Sequence, residues 1–412
     1  MRVAVVGGGW AGIAAAVELT AAGRAVTLFE AGRRLGGRAR AVDLAGRTLD
    51  NGQHLFLGAY RDTLALMRRV GADPDALFVR RPLRVIDNAG FDLALPRLPA
   101  PLHLAWGLLA ARRVPWREKL ATAAWMRGLQ AAGFRLPADP TVAAWLDGAG
   151  QTGALRRHLW EPLCLAALNT PAERASAQVF ANVLRDSLGG PRRADTDLLL
   201  PRRDLGQLLP QPAAAWLAAR GCELRLGHRV RTLAATADGV AIDGEVFAGA
   251  IVAVAPQHLP GLLPGEAADF TYEPIATVYL QYDPPAILPF PLYGLSGGHG
   301  QWVIDRGDGL LAAVLSGHGA WEELADAELV SRLHGELGQI RLPVWHRVIR
   351  EKRATFSCRP GLRRPGPATA HPRVFLAGDH AWAEYPATLE GAVRSGLAAA
   401  RAGLDRSAFG KP

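Results

Sequence analysis

Residues 2–6, Arg-Val-Ala-Val-Val, make a short and almost unbroken apolar run, as a strand buried on both faces does. The run passes through Gly7-Gly8-Gly9-Trp10-Ala11-Gly12 into a small-residue helical pattern, Ile13 to Ala22, closed by Gly23. A second run, Ala25 to Phe29, ends on Glu30. Near the other end the theme returns: residues 373–377 (RVFLA), then Gly378-Asp379, a loop, and an alanine-rich helix from Leu389. In between, Leu205 to Gly221 predicts one amphipathic helix and Glu223 to Pro256 a strand-rich stretch holding Arg229-Val230-Arg231. Leu98 to Leu129 reads as mostly helical, and Thr277 to Ser316 as strands around a glycine-rich turn. Together these elements predict an α/β fold.

The glycine run is G-x-G-x-x-G after a strand and before a helix, with a carboxylate 18 residues past the last glycine. Each part has a mechanical reason. Gly7 permits a tight turn, Gly9 lets backbone approach a pyrophosphate, and Gly12 lets helix and strand pack closely. The helix N-terminus offers free N–H groups and a positive dipole to phosphates. Glu30 can accept hydrogen bonds from a ribose diol and would repel a 2′-phosphate. Asp379, at a strand's carboxyl end, falls in the ligand crevice of a doubly wound sheet. Thr388 is a natural N-cap, which leaves the N–H groups of Leu389 to Ala392 to stabilise negative charge on a cofactor ring.

Charge adds to this picture without redirecting it. The 412 residues carry 47 Lys+Arg against 38 Asp+Glu, a formal +9, and only three of the cations are lysines. Such a balance suits a nucleotide cofactor or an anionic membrane. The arginines are scattered and no nucleic-acid-binding signature is present, so nucleic acid is not expected as a partner. Cys164, Cys222 and Cys358 are too few and too far apart for a disulfide framework or a metal set, which fits a reducing cytoplasm. No signal peptide precedes the first strand pattern, and the longest apolar stretch, Leu98 to Ala111, is too short to span a bilayer. Trp106, Trp116 and Trp125 with Arg112, Arg113, Arg117 and Lys119 suit either an interfacial helix or an amphipathic cap packed on its neighbours.

Glu30-Ala31-Gly32-Arg33-Arg34-Leu35-Gly36-Gly37-Arg38 resembles the extension found in the amine oxidase and phytoene desaturase superfamily of FAD enzymes, and Gly378-Asp379 with Tyr385 to Gly396 resembles its C-terminal signature. The resemblance implies FAD as cofactor. It implies contacts from Gly7, Gly9, Trp10, Ala11 and Gly12, from Glu30, Ala31, Gly36, Gly37 and Arg38, and from Gly52, Gln53 and His54 near the ring. Val230, Gly378, Asp379, Leu389, Glu390 and Ala392 complete the implied set. Gly32 departs from the pattern, since most amine oxidases carry arginine there. The implied division is a Rossmann-like FAD-binding domain from residues 1–85, 196–260 and 351–412. Interleaved with it is an α+β substrate-binding domain, with a helical cap at 86–195 and a sheet at 261–350.

Further stretches are similar to one branch, the squalene-associated FAD-dependent desaturases or hydroxysqualene dehydroxylases. They are Leu49 to Leu55, Trp160 to Thr170, Gln301 to Gly307, Glu351 to Phe356 and Tyr385 to Ala392. That likeness implies reductive loss of an allylic hydroxyl from the polyisoprenoid hydroxysqualene, in bacterial squalene and hopanoid synthesis. It needs an apolar tunnel, a proton donor and exclusion of water. His54, Asp305 and Tyr385 are the candidate donors, each with an ordinary structural role as the alternative. The likeness also implies an electron donor of unidentified kind and a cytoplasmic position, peripheral on the inner face of the cytoplasmic membrane. Two rivals stand beside it. A carotenoid-type desaturase would run the hydride the other way, and a prenyl-lipid carrier would have abandoned flavin. The intact Glu30, Gly36-Gly37-Arg38 and Gly378-Asp379 speak against the carrier.

Overall fold

In the computed structural model, which describes residues 2–44, 46–236, 239–266, 269–406 and 408–409, five strands lie side by side, all parallel. Their order is Glu223–Leu226, Val26–Glu30, Val3–Val6, Gly249–Val252 and Val374–Leu376. The three inner strands are buried because both faces are covered. Val5, Leu28, Ile251 and Phe375 pack on the helix Trp10–Ala21 and its neighbours. Val6, Phe29, Val252 and Leu376 pack on the other side against Val240 and Phe247 of a three-stranded antiparallel meander. The helices Trp10–Ala21 and Leu389–Asp405 touch through small residues, since a Cβ at Gly396 would come within 2.1 Å of the Ala11 carbonyl oxygen.

A second, antiparallel sheet runs in the order Leu292–Gly294, Trp302–Asp305, Leu310–Ser316, Tyr272–Gln281 and Trp345–Phe356. Alternation along its strands divides the work. Val278, Leu280, Val303, Leu311 and Ala313 face the helix Asp326–Leu337, whereas Ile275, Trp302, Ile304 and Val314 line a cavity on the opposite face.

Two expected helices are broken. Leu98 to Leu129 forms Leu102–Ala110 and Trp116–Ala131, because the chain turns through Arg112-Arg113-Val114-Pro115. Lys119 is buried at that turn, where its Nζ donates to the carbonyls of Leu109 (2.6 Å) and Ala111 (2.7 Å) and so caps the first helix. Leu205 to Gly221 forms a single turn, Leu205–Leu208, and then the helix Pro210–Ala218. Pro210 has no N–H to continue the first turn, but it suits the start of the second. Val230 lies outside the strands, in the loop between Leu226 and Leu233.

Candidate active site

The mouth of the parallel sheet opens into a cavity of about 760 Å³ that runs toward the second sheet. At one end Gly7 adopts φ +108°, and a Cβ there would lie 2.5 Å from the Ala253 carbonyl oxygen. Gly36 donates to the Gly8 carbonyl at 2.8 Å, and a Cβ at Gly37 would come within 3.0 Å of Gly9 Cα, so two glycine turns lie backbone on backbone. No side chain caps the helix that starts at Trp10. Gly12 sits beneath the cavity rather than in its wall: a Cβ there would stand 1.8 Å from the Gly7 carbonyl oxygen. The Glu30 carboxylate accepts from the N–H groups of Gly8 (2.7 Å) and Gly32 (2.6 Å). Trp10, Ala11, Ala31 and Val230 also face the cavity.

Farther along, Arg38 donates to Asp379 at 2.6 Å and to the Ala354 carbonyl at 2.8 Å. Burial works to raise the Asp379 carboxyl, but the Arg38 guanidinium outweighs it and holds that group well below the usual carboxylate range. Several buried polar atoms on this wall make no hydrogen bond among the described residues: Oε1 of Gln53 and both ring nitrogens of His380, whose Nδ1 stands 3.7 Å from Asp379 Oδ1. The bare glycine backbone and these unfilled hydrogen-bonding atoms fit a long, polar dinucleotide. Gly52, Gln53, His54, Gly378, Leu389 and Ala392 line the same cavity, and Thr388 caps its helix by accepting from Gly391 N at 3.1 Å.

A second cavity of about 410 Å³ adjoins the first and shares part of its lining. Leu95, Leu104, Leu108, Met126, Leu159 and Leu163 give it an apolar wall. Six residues line both spaces: Leu55, Tyr60, Ala166, Ala167, Trp302 and Thr388.

Four of the expected site residues need correction or refinement. Glu390 is fully buried, yet its carboxylate turns from the cavity and accepts from Asp62 N (3.1 Å), Thr63 N (2.9 Å) and Thr63 Oγ1 (2.7 Å). It caps the helix Arg61–Arg69, whose first-turn N–H groups would otherwise be unsatisfied. Asp305 shares the face of Val303, away from the cavity, and accepts from Gly307 N at 2.8 Å. Its neighbour Arg306 pairs with Asp50 at 3.3 Å instead. Tyr385 lies in the wall of the apolar cavity and donates its hydroxyl to Asp186, beneath the Arg394 guanidinium 4.5 Å from its ring. His54 does line the cofactor cavity, with Nδ1 2.7 Å from the Gly52 carbonyl oxygen. Burial lowers its pKa despite that bond, so the imidazole is neutral near pH 7.

Other cavity residues carried weaker signals. Asn169 adopts φ +48° at the end of the helix Glu161–Leu168, donates to Thr355 Oγ1 (3.0 Å) and accepts from Gly317 N (2.7 Å). Asn169 and Trp302 sit in stretches that carried the family resemblance, but nothing in their spacing assigned them a place. Tyr60, His380 and Glu351 reach the cavity only through the folding of distant segments.

The family model for flavin containing amine oxidoreductases matches residues 10–403. A hydroxysqualene dehydroxylase of Rhodopseudomonas palustris is 34% identical over 97% of both chains, and one of Sinorhizobium fredii is 30% identical over 98% of this chain and 99% of its own. The chain belongs to the flavin containing amine oxidoreductases, in their hydroxysqualene dehydroxylase family. It is therefore an FAD-dependent oxidoreductase. A more distant relative, a probable zeta-carotene desaturase of Synechococcus elongatus, is 26% identical over 99% of this chain and all of its own. Among solved structures, a triple mutant of putrescine oxidase superposes with a TM-score of 0.73 at 20% identity, covering 98% of this chain and 99% of that one.

Proposed function

We propose that this enzyme removes the hydroxyl of hydroxysqualene: alcohol plus reduced FAD gives squalene, water and oxidised FAD. The observation that carries the reading is the junction of a polar FAD cleft with an apolar tunnel through six shared residues. Bound in the cleft as reduced cofactor, FAD supplies the hydride. The protein's part is to bind, align and keep dry. Leu95, Leu104, Leu108 and Met126 take the hydrocarbon out of water, and that exclusion lengthens the life of an allylic cation. Trp302 and Tyr60 flank the junction, where an aromatic face favours developing positive charge. The Thr388-capped helix points its N–H groups at the cleft and favours the negative charge of a reduced ring. Neutral His54 is a hydrogen-bonding group at the ring rather than a strong acid.

The tunnel wall also includes the helices that present Trp106 and Trp116 to solvent, which supports a peripheral position on the cytoplasmic membrane. No helix among the described residues is long and apolar enough to cross a membrane.

The test is anaerobic mixing of photoreduced holoenzyme with hydroxysqualene in detergent. The oxidised-flavin band should return with one squalene formed per flavin. A flavin that stays reduced, with the alcohol recovered, overturns the reading. Reduction of oxidised holoenzyme by a polyene would favour the desaturase to which the chain is 26% identical.

A further inference from the structure

In any hydride transfer between a ring in the cleft and a chain in the tunnel, the reacting carbon must lie where the two spaces meet. That place has six walls, and three of them, Leu55, Ala166 and Ala167, have no polar side-chain atom. Thr388 is committed, since its Oγ1 accepts from Gly391 N at 3.1 Å and lies 3.4 Å from the Pro386 carbonyl oxygen. The Tyr60 hydroxyl and the Trp302 indole N–H make no hydrogen bond among the described residues. An indole N–H only donates, whereas a phenol hydroxyl donates and accepts. A departing hydroxyl first needs a donor at its oxygen and then, as water, an acceptor for its hydrogens. Only Tyr60 of the six offers both.

We propose that the Tyr60 hydroxyl binds the leaving oxygen of the substrate alcohol at the junction of cleft and tunnel, which makes Tyr60 a catalytic residue of the reaction proposed above. The inference rests on that reaction. Tyr60 is well held for the task. It precedes the helix Arg61–Arg69, and its ring meets buried Phe56 edge-on at 5.9 Å between centroids. The start of that helix is clamped by Glu390, whose neighbours Leu389 and Ala392 line the cleft, so one carboxylate fixes the tyrosine relative to the cofactor bed. Burial, with the Glu390 carboxylate adding to it, pushes the Tyr60 phenol up, so the hydroxyl keeps its proton and serves as a hydrogen-bonding group. Tyr60 thus transfers neither proton nor electron; bound FADH₂ would supply both the hydride and the proton that turns the leaving hydroxyl into water.

Oxidised holoenzyme cannot reduce the alcohol, so binding can be read from the flavin spectrum during titration with hydroxysqualene or with squalene. Wild type should bind the alcohol about tenfold more tightly than the hydrocarbon, as one hydrogen bond allows. Tyr60→Phe should weaken the alcohol alone by about that factor, slow the reduced enzyme's single turnover, and leave squalene binding and flavin content unchanged. Trp302→Phe should preserve the preference for alcohol. A merely structural Tyr60 would shift both ligands together. If wild type converts hydroxysqualene and Tyr60→Phe keeps both rate and preference, the role of Tyr60 is overturned while the reaction stands. If wild type does not convert the alcohol, the functional reading itself falls, and this inference with it.

Discussion

Asp50 is 2% exposed; its carboxylate accepts from Leu205 N at 2.7 Å, and its other oxygen faces Arg306 at 3.3 Å without hydrogen-bond geometry. Burial pushes its carboxyl up to about 6, against the pull of Arg306. A carboxyl raised in the native state binds its proton more tightly there than in the unfolded chain. Its contribution to stability is therefore full below about pH 4, the unfolded value, and is lost as pH rises through about 6. Asp50→Asn keeps an oxygen for Leu205 N and removes the titration. Relative to wild type, the variant should gain stability between pH 4.5 and 7.5 in denaturant unfolding of the holoenzyme. An identical pH dependence in both proteins would contradict a charge held under strain. The same scale explains what the sequence revealed. Gly7, Gly9, Gly12 and Glu30 belong to one local strand–turn–helix unit, so their spacing carries their geometry. Glu390 and Asp305 do not: one turns toward a helix more than 300 residues away in sequence, and the other is directed by strand alternation.

At the level of elements, the pair Leu102–Ala110 and Trp116–Ala131 stands out because it leaves apolar side chains in water. Leu102, Trp106, Trp116 and Leu120 are each more than half exposed, and Arg97, Arg112, Arg113 and Arg117 are exposed beside them. Aromatic and aliphatic side chains flanked by cations match an anionic bilayer surface. Leu104, Leu108 and Met126 of the same two helices line the tunnel. Trp106→Glu with Leu102→Glu should lower cosedimentation with phosphatidylglycerol vesicles at least tenfold, and leave turnover of detergent-dispersed substrate unchanged. Unaltered vesicle binding would mean that the helices only cap the tunnel. The helical character of this block was legible from its composition. Its break was not, since the buried Lys119 cap depends on the turn it stabilises.

Over the whole molecule, the parallel sheet draws strands from residues 3–6, 26–30, 223–226, 249–252 and 374–376, and the antiparallel sheet is inserted between the last two. This interleaving places the inner face of the second sheet opposite the glycine turns, with the larger cavity between them and the apolar cavity beyond. The two ends of the cleft were legible because each is a contiguous motif. The tunnel was not, because its walls come from segments scattered between Leu55 and Thr388, each of which reads alone as ordinary apolar core. The claim that unites the two spaces is direct transfer of hydride from the reduced cofactor to the carbon that loses oxygen. Its most direct test is to photoreduce the holoenzyme in D₂O without oxygen, add unlabelled hydroxysqualene for one turnover, and weigh the product. One deuterium in squalene, on the carbon that bore the hydroxyl, is the predicted result; unlabelled squalene, or no squalene, would contradict it.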